Sequence, residues 1–155
     1  MGRQLDQQSD LIIRRVQPGE VNAAAEIEKS SLKDKTPWSE SELSLFVKNP
    51  SGVYLGAFLK EKLVGVGGCY IGGGECVITN IAVSQDFRRK KAASLLLGGL
   101  IDIAKANGAK KAFLEVGGTN HPAIRLYAGF GFEKRGVRKG YYKGGDAFIM
   151  SLELD

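Results

Sequence analysis

The sequence predicts an α/β fold, one mixed sheet with helices packed on its faces, and three observations predict it. Short segments rich in β-branched residues recur along the chain, helical stripes interrupt them, and the order reads β, α, α, β, β, β, α, β, α, β, β. At 155 residues and 43% hydrophobic, the chain is long enough to bury one core and short for two. The expected organisation is a polar tail over residues 1–9 and a single domain over residues 10–155.

Leu11 to Val16 mixes β-branched residues with Arg14 and Arg15 before Pro18 and Gly19 interrupt it, which reads as an edge strand leading into a helix over Glu20 to Ser31. Ser39 with Glu42 forms a capping box, and Leu43, Phe46 and Val47 follow at helical spacing until Asn49 and Pro50 stop them. Val53 to Leu59, Leu63 to Ile71 and Glu75 to Val83 are apolar and β-branched, parted by Lys60-Glu61-Lys62 and by a glycine run, and read as a meander. From about Arg89 the pattern turns helical through Ala93, Leu96, Leu97, Leu100, Ile101 and Ala104, ending at Asn107 and Gly108. Lys111 to Val116 is a further strand, Pro122 to Ala128 a short helix, and Phe132 to Lys139 and Ala147 to Leu154 two closing strands.

Lysine and arginine number 22 against 17 acidic residues, a net charge of +5 that suits a polyanionic ligand without choosing among nucleotides, phosphorylated cofactors and nucleic acid. The first ten residues lack the apolar stretch of a secretory signal, and no segment approaches the roughly 18 apolar residues of a membrane span. A cytoplasmic protein with no membrane partner is therefore expected. Cys69 and Cys76 flank Gly72 to Gly74 at hairpin spacing; in a reducing compartment they are expected as buried free thiols.

One junction carries chemistry. An apolar strand ends at Val83 and passes through Ser84 to Phe87 into Arg88, Arg89, Lys90, Lys91, Ala92, Ala93 and Ser94, where a helix begins. A first helical turn offers unpaired N–H groups and the positive end of the macrodipole, so a pyrophosphate fits there. A basic run is ordinarily a solvated face, but cations at a helix N-terminus oppose the dipole unless an anion arrives.

Asn80-Ile81-Ala82-Val83 followed by Gln85-Asp86-Phe87-Arg88-Arg89 resembles the acetyl-CoA pyrophosphate loop of the GNAT acetyltransferase superfamily, whose pattern is Q/R-x-x-G-x-G/A. Arg88 matches its first position and Ala93 its last, while Lys91 stands where the family has glycine. A lysine there either crowds the cofactor or points outward and leaves the N–H donors usable, and a positive φ at this position would penalise it. Leu114-Glu115-Val116, Thr119-Asn120, Ala123, Leu126-Tyr127 and Gly131-Phe132 resemble the stretch L-E-V-R-x-S-N-x-x-A-x-x-L-Y-x-x-x-G-F of the ribosomal-protein-alanine N-acetyltransferases, the RimI-like branch. Gly117 replaces that pattern's arginine; Pro37-Trp38, Arg138-Lys139, Tyr141-Tyr142 and Asp146-Ala147 also match the branch. The resemblance implies a mostly antiparallel twisted sheet of about seven strands flanked by about four helices.

The resemblance also implies roles. Glu115 is the general base, through a water, and Tyr127 the acid beside the departing thiolate. Backbone N–H groups around Ile81, Ala82 and Val83 hold the thioester, and residues Arg88 to Ser94 grip the pyrophosphate of acetyl-CoA. On position alone Glu115 reads as a surface strand glutamate and Tyr127 as a core tyrosine. Asn120 either caps the short helix or binds the pantetheine arm. Trp38, Tyr141 and Tyr142, the last two in a loop, line an acceptor groove or are core and hairpin aromatics. His121 is the lone histidine, at the front of a short helix, and is taken as exposed rather than as a base. No metal is expected.

An α-amine near pKa 8 is roughly a tenth neutral at pH 7, whereas a lysine near 10.4 is below about one in a thousand, a gap of about 3 kcal/mol that favours an N-terminal acceptor. The expected partners are acetyl-CoA and the N-terminus of a protein, a ribosomal protein by resemblance, with the chain a monomer or weak dimer. A small-molecule amine acetyltransferase shares this fold and cofactor, and a non-catalytic acetyl-CoA-binding module shares the site. No helix-turn-helix, zinc spacing or interleaved aromatic surface points to nucleic acid.

Overall fold

The structure, a computed structural model, describes residues 10–32, 36–88, 91–142 and 145–155. The expected tail and the side chains of Arg89, Lys90, Tyr141 and Tyr142 lie outside what it describes. In chain order the elements are β1 (Leu11–Arg15), α1 (Val21–Ser31), α2 (Glu40–Lys48), β2 (Gly52–Leu59), β3 (Lys62–Gly72), β4 (Glu75–Val83), α3 (Ala92–Ala106), β5 (Lys111–Gly117), α4 (His121–Gly129), β6 (Glu133–Tyr142) and β7 (Gly145–Glu153).

Local chemistry places several of these boundaries. Ser39 Oγ accepts from the Glu42 N–H at 3.1 Å while the Glu42 carboxylate accepts from the Ser39 N–H at 2.8 Å, so α2 starts where the capping box predicts. Pro18 to Glu20 form a separate tight turn ahead of α1, because the Glu20 carboxylate is drawn back to the Gln17 N–H at 2.8 Å and to Arg14 at 2.7 Å. The last hairpin departs further from expectation. β6 runs on to Tyr142 rather than stopping at Lys139, so Tyr141 and Tyr142 belong to a strand, not a loop. Gly140 at φ +60 and its N–H bond to Asp146 Oδ1 at 2.8 Å absorb a register shift there, after which Tyr142 pairs with Gly145.

The seven strands form one sheet in the order β1-β2-β3-β4-β5-β7-β6, antiparallel except for β4 beside β5. Alternation along the strands feeds two cores. Against one face, α3 buries Leu96, Leu97, Leu100 and Ala104 over Leu55, Val64, Leu114, Val116 and Met150. Each fully buried leucine contributes about 1.5–3 kcal/mol. Against the other face, α1 and α2 bury Val21, Ala24, Leu43 and Phe46 over Tyr54, Val66 and Ala82. Phe46 is the hub of this second core, edge-on to Trp38 at 4.8 Å, Tyr54 at 5.8 Å and Tyr70 at 4.8 Å. Gly68 makes that seat, since a Cβ there would lie 3.0 Å from both Phe46 and Tyr54.

An acidic side chain lies inside the second core. Glu28 is 0% exposed, and its carboxylate accepts from the Tyr54 hydroxyl at 2.6 Å and the Trp38 N–H at 3.2 Å. Burial, with the Glu28 carboxylate beside it, pushes the Tyr54 phenol well above its usual range. The contact ties α1 to the segment leading into α2. Tyr54→Phe should therefore cost about 2 kcal/mol, the penalty of leaving a buried acceptor unsatisfied, read as a lowered urea midpoint at unchanged m-value. An unchanged midpoint would show that the carboxylate does not depend on the phenol.

Cys69 and Cys76 are both buried free thiols on β3 and β4, as expected. The decisive feature of the sheet is where β4 and β5 part. They pair only at Glu75 to Val77 against Lys111 to Phe113. Just beyond, the β3–β4 register shifts between Gly68 and Cys69, whose partners are Asn80 and Ile78, leaving Thr79 as a bulge. A bulge bends and twists its strand, which carries the rest of β4 away from β5 and opens a seam through the sheet.

Candidate active site

Past Val77, β4 keeps β3 on one edge and has no strand on the other, so backbone groups along that edge face the seam. A cleft of about 280 Å³ fills it. Of the predicted residues, Ile81, Ala82, Val83, Arg88, Ala93, Asn120 and Tyr127 line this cleft together. The Val83 carbonyl is already held, accepting from Ser31 Oγ at 3.1 Å and from Arg88 Nε at 3.3 Å. Those two bonds fasten the end of β4 to α1 and to the following turn.

Lys91 is the N-cap of α3, exposed, with φ +68 and ψ +9. The backbone is left-handed, a conformation that glycine adopts freely and a lysine only under strain. Its side chain is not among the groups lining the cleft, and α3 begins immediately after it, the Leu95 N–H bonding the Lys91 carbonyl at 3.0 Å. The N–H groups of Ala92, Ala93 and Ser94 lie in the first turn, where no intrahelical acceptor exists. Ala92 is buried, Ala93 and Ser94 half-buried. Arg89 and Lys90, expected at the same turn, lie outside the described residues.

Tyr127 is 4% exposed on α4, edge-on to Phe132 at 5.8 Å, and reaches the seam from the α3 side of the sheet. Glu115 lies two residues past the last β4–β5 pair. Its neighbours Leu114 and Val116 turn into the α3 core, so Glu115 turns to the opposite face, where its carboxylate meets Arg138 Nη2 at 2.7 Å. It is not among the groups lining the cleft. Asn120 caps α4, its Oδ1 accepting from the Ala123 N–H at 3.3 Å, and lines the cleft as well. His121 is exposed at the start of α4.

Trp38 does not reach the cleft lining; it packs against Phe46 and is held through its backbone N–H by Glu28. Tyr141 and Tyr142 are placed on β6 by their backbone alone. Sequence reasoning missed Ser31 and Leu32, which line the cleft from the end of α1, and Pro122 and Leu126 from α4. It also missed Glu28 as the anchor of Trp38. A serine or glutamate in an amphipathic helix carries no local mark of such a role; only the folded position of α1 creates it.

Among the described residues no group of three His, Cys, Asp or Glu is placed to hold a metal ion, and no helix is long and apolar enough to cross a membrane. Residues 21–132 match the model of the acetyltransferase (GNAT) family. The chain belongs to that family. GNAT enzymes are N-acetyltransferases that draw the acetyl group from acetyl-CoA, and the apolar cleft with a helix N-terminus at its mouth fits that co-substrate.

Relatives place the chain in the RimI-like branch of GNAT. A ribosomal protein bS18-alanine N-acetyltransferase of Salmonella typhimurium (strain LT2) is 33% identical over 124 residues, 76% of this chain and 82% of its own length. A Bacillus subtilis (strain 168) protein, provisionally named for the same activity, is 33% identical over 146 residues, 92% of this chain and 95% of its own. The crystal structure of the ribosomal-protein-S18-alanine N-acetyltransferase from Escherichia coli superposes with a TM-score of 0.85 at 28% identity, covering 94% of each chain.

The left-handed Lys91 gives a stability prediction. Lys91→Gly relieves a strained φ and should stabilise the protein by about 1 kcal/mol, raising Tm by about 2–4 °C. A lowered Tm would mean that the lysine side chain makes contacts worth more than the strain.

Proposed function

We propose that this GNAT enzyme acetylates the N-terminal α-amine of a ribosomal protein, of the S18 class on which its relatives are named to act. The observation that carries the reading is the seam between β4 and β5, with Tyr127 on one side of the sheet and Glu115 on the other. A ribosomal acceptor puts the enzyme in the cytoplasm.

Transfer from a thioester to an amine needs a base for the amine proton, donors for the carbonyl oxygen and an acid for the sulfur. In this reading acetyl-CoA enters the seam with its pyrophosphate at the N–H groups of Ala92 to Ser94 and its thioester beside Ile81 to Val83. Arg88, Arg89 and Lys90 add attraction for the phosphates. The acceptor enters as the neutral α-amine, its nitrogen lone pair attacks the thioester carbon, and the C=O pair moves onto oxygen, where β4 backbone N–H groups stabilise it. As the carbonyl re-forms, the C–S bond breaks, and Tyr127 gives its proton to the thiolate. The amide nitrogen loses its extra proton through a water to Glu115, which passes it to solvent while the Tyr127 phenolate takes one back. Trp38, Tyr141 and Tyr142 are assigned to the acceptor side, and Asn120 to the pantetheine arm in addition to its capping bond.

Intact-mass analysis after incubation with acetyl-CoA tests the acceptor. A peptide beginning with the S18 N-terminal alanine should gain one acetyl group, while the same peptide with a blocked N-terminus and a free lysine, and a polyamine, should not. Turnover confined to the polyamine would replace the protein acceptor by a small molecule. Glu115→Gln should lower kcat by about 10²–10⁴-fold and Tyr127→Phe by at least about tenfold, each leaving the Kd for acetyl-CoA within about twofold. Undiminished rates in both would remove the site assignment.

A further inference from the structure

The base proposed above does not stand alone. Glu115 Oε2 lies 2.7 Å from Arg138 Nη2, with side chains 28% and 51% exposed. The guanidinium comes from two strands away, since β7 lies between β5 and β6. Its path is open because the residue beside Arg138 on β7 is Ala147, and the one beyond it on β5 is Gly117. A small side chain and none at all leave room for an arginine to lie across the strands.

Among the described residues, several other charges on this side of the sheet have partners of their own. Arg135 is engaged by Glu133 at 3.2 Å and by Ser151 Oγ at 3.0 Å. Asp146 accepts from the Gly140 N–H at 2.8 Å and lies 3.9 Å from Lys139. Across the seam α4 offers Tyr127 and Asn120, both uncharged, and Glu28 on α1 is buried with Tyr54 and Trp38. Arg88 is turned to the Val83 carbonyl at the cofactor end. Among the described residues, Glu115 and Arg138 thus face each other as an ion pair.

An amine must be neutral to attack a thioester. A carboxylate without a counter-charge beside the acceptor site would bind the ammonium form and hold it protonated, because an opposite charge favours the charged state and a like charge disfavours it. Resting on the reading of Glu115 as base, we infer that Arg138 is a positioning residue that balances this carboxylate so that the acceptor is admitted as a neutral amine, which selects α-amines over lysine side chains. The arginine touches neither the thioester nor the attacking nitrogen; it acts through the field at Glu115. An α-amine, near pKa 8, meets this demand near neutral pH, and a lysine, near 10.4, does not.

The test uses Arg138→Met, Arg138→Lys and Glu115→Gln, with an N-terminal alanine peptide and a blocked peptide carrying one lysine. In Arg138→Met the peptide KM should fall about fivefold and kcat at pH 7 about tenfold, because the acceptor now binds mostly as ammonium. Its kcat–pH profile should move about one unit alkaline, bringing the rate near that of the wild type by about pH 9. KM for the lysine peptide should fall too. Arg138→Lys, which keeps the charge, should restore the wild-type profile. A structural or peptide-contacting role predicts the reverse, a raised KM with an unshifted profile, and that outcome, or no change at all, overturns the inference. Arg138 is half exposed on an edge strand, so Tm should stay within a few degrees and vouch for folding. Glu115→Gln separates the two levels: if it is inactive and Arg138→Met is unshifted, only the role of Arg138 fails, whereas full activity in Glu115→Gln removes the base itself.

Discussion

The whole arrangement depends on one broken ladder. β4 and β5 are the single parallel neighbours of the sheet, and they stay bonded for only three residue pairs before the Thr79 bulge bends β4 away. An exposed run of backbone donors and acceptors is normally a liability in a sheet, satisfied by another strand or by water. In the proposed reading it becomes a slot for an extended, amide-bearing arm. The two cores flank the slot: α3 and α4 press on one face, α1 and α2 on the other.

Fastenings around that slot are few and specific. Ser31 and Arg88 meet on the Val83 carbonyl, fixing the end of β4 to the helix before it and the turn after it. Glu28 fixes the segment bearing Trp38 to the same helix α1. One helix end thereby touches both the cofactor strand and the segment assigned to the acceptor, so a shift of α1 would move both sides of the site at once. That coupling is geometric and follows from the contacts alone.

Much of this was legible beforehand. Seven strands and four helices fall where alternation, the Ser39 capping box and the leucine stripe of α3 put them, and the seam residues 81–83, Arg88, Ala93, Asn120 and Tyr127 do come together. What was not legible depends on distant pairing. Nothing local to Thr79 announces a bulge, because a bulge is a mismatch between two strands. Nor does Arg138 announce Glu115 as its partner, since that contact exists only once β7 has slipped between β5 and β6. Tyr141 and Tyr142 read as loop, yet the Asp146 bond to the Gly140 N–H accompanies a return to pairing, Tyr142 against Gly145. Lys91 is the instructive middle case: the sequence showed a lysine in a glycine's place, and the fold gives that lysine a left-handed backbone that glycine favours.

The central claim is that the open edge of β4 and the first turn of α3 together receive acetyl-CoA. Amide hydrogen exchange resolved by residue, with and without acetyl-CoA, addresses it most directly. Slowed exchange concentrated at Ile81 to Val83 and Ala92 to Ser94 is the predicted result. Protection elsewhere, with those amides exchanging as freely as before, would contradict the account.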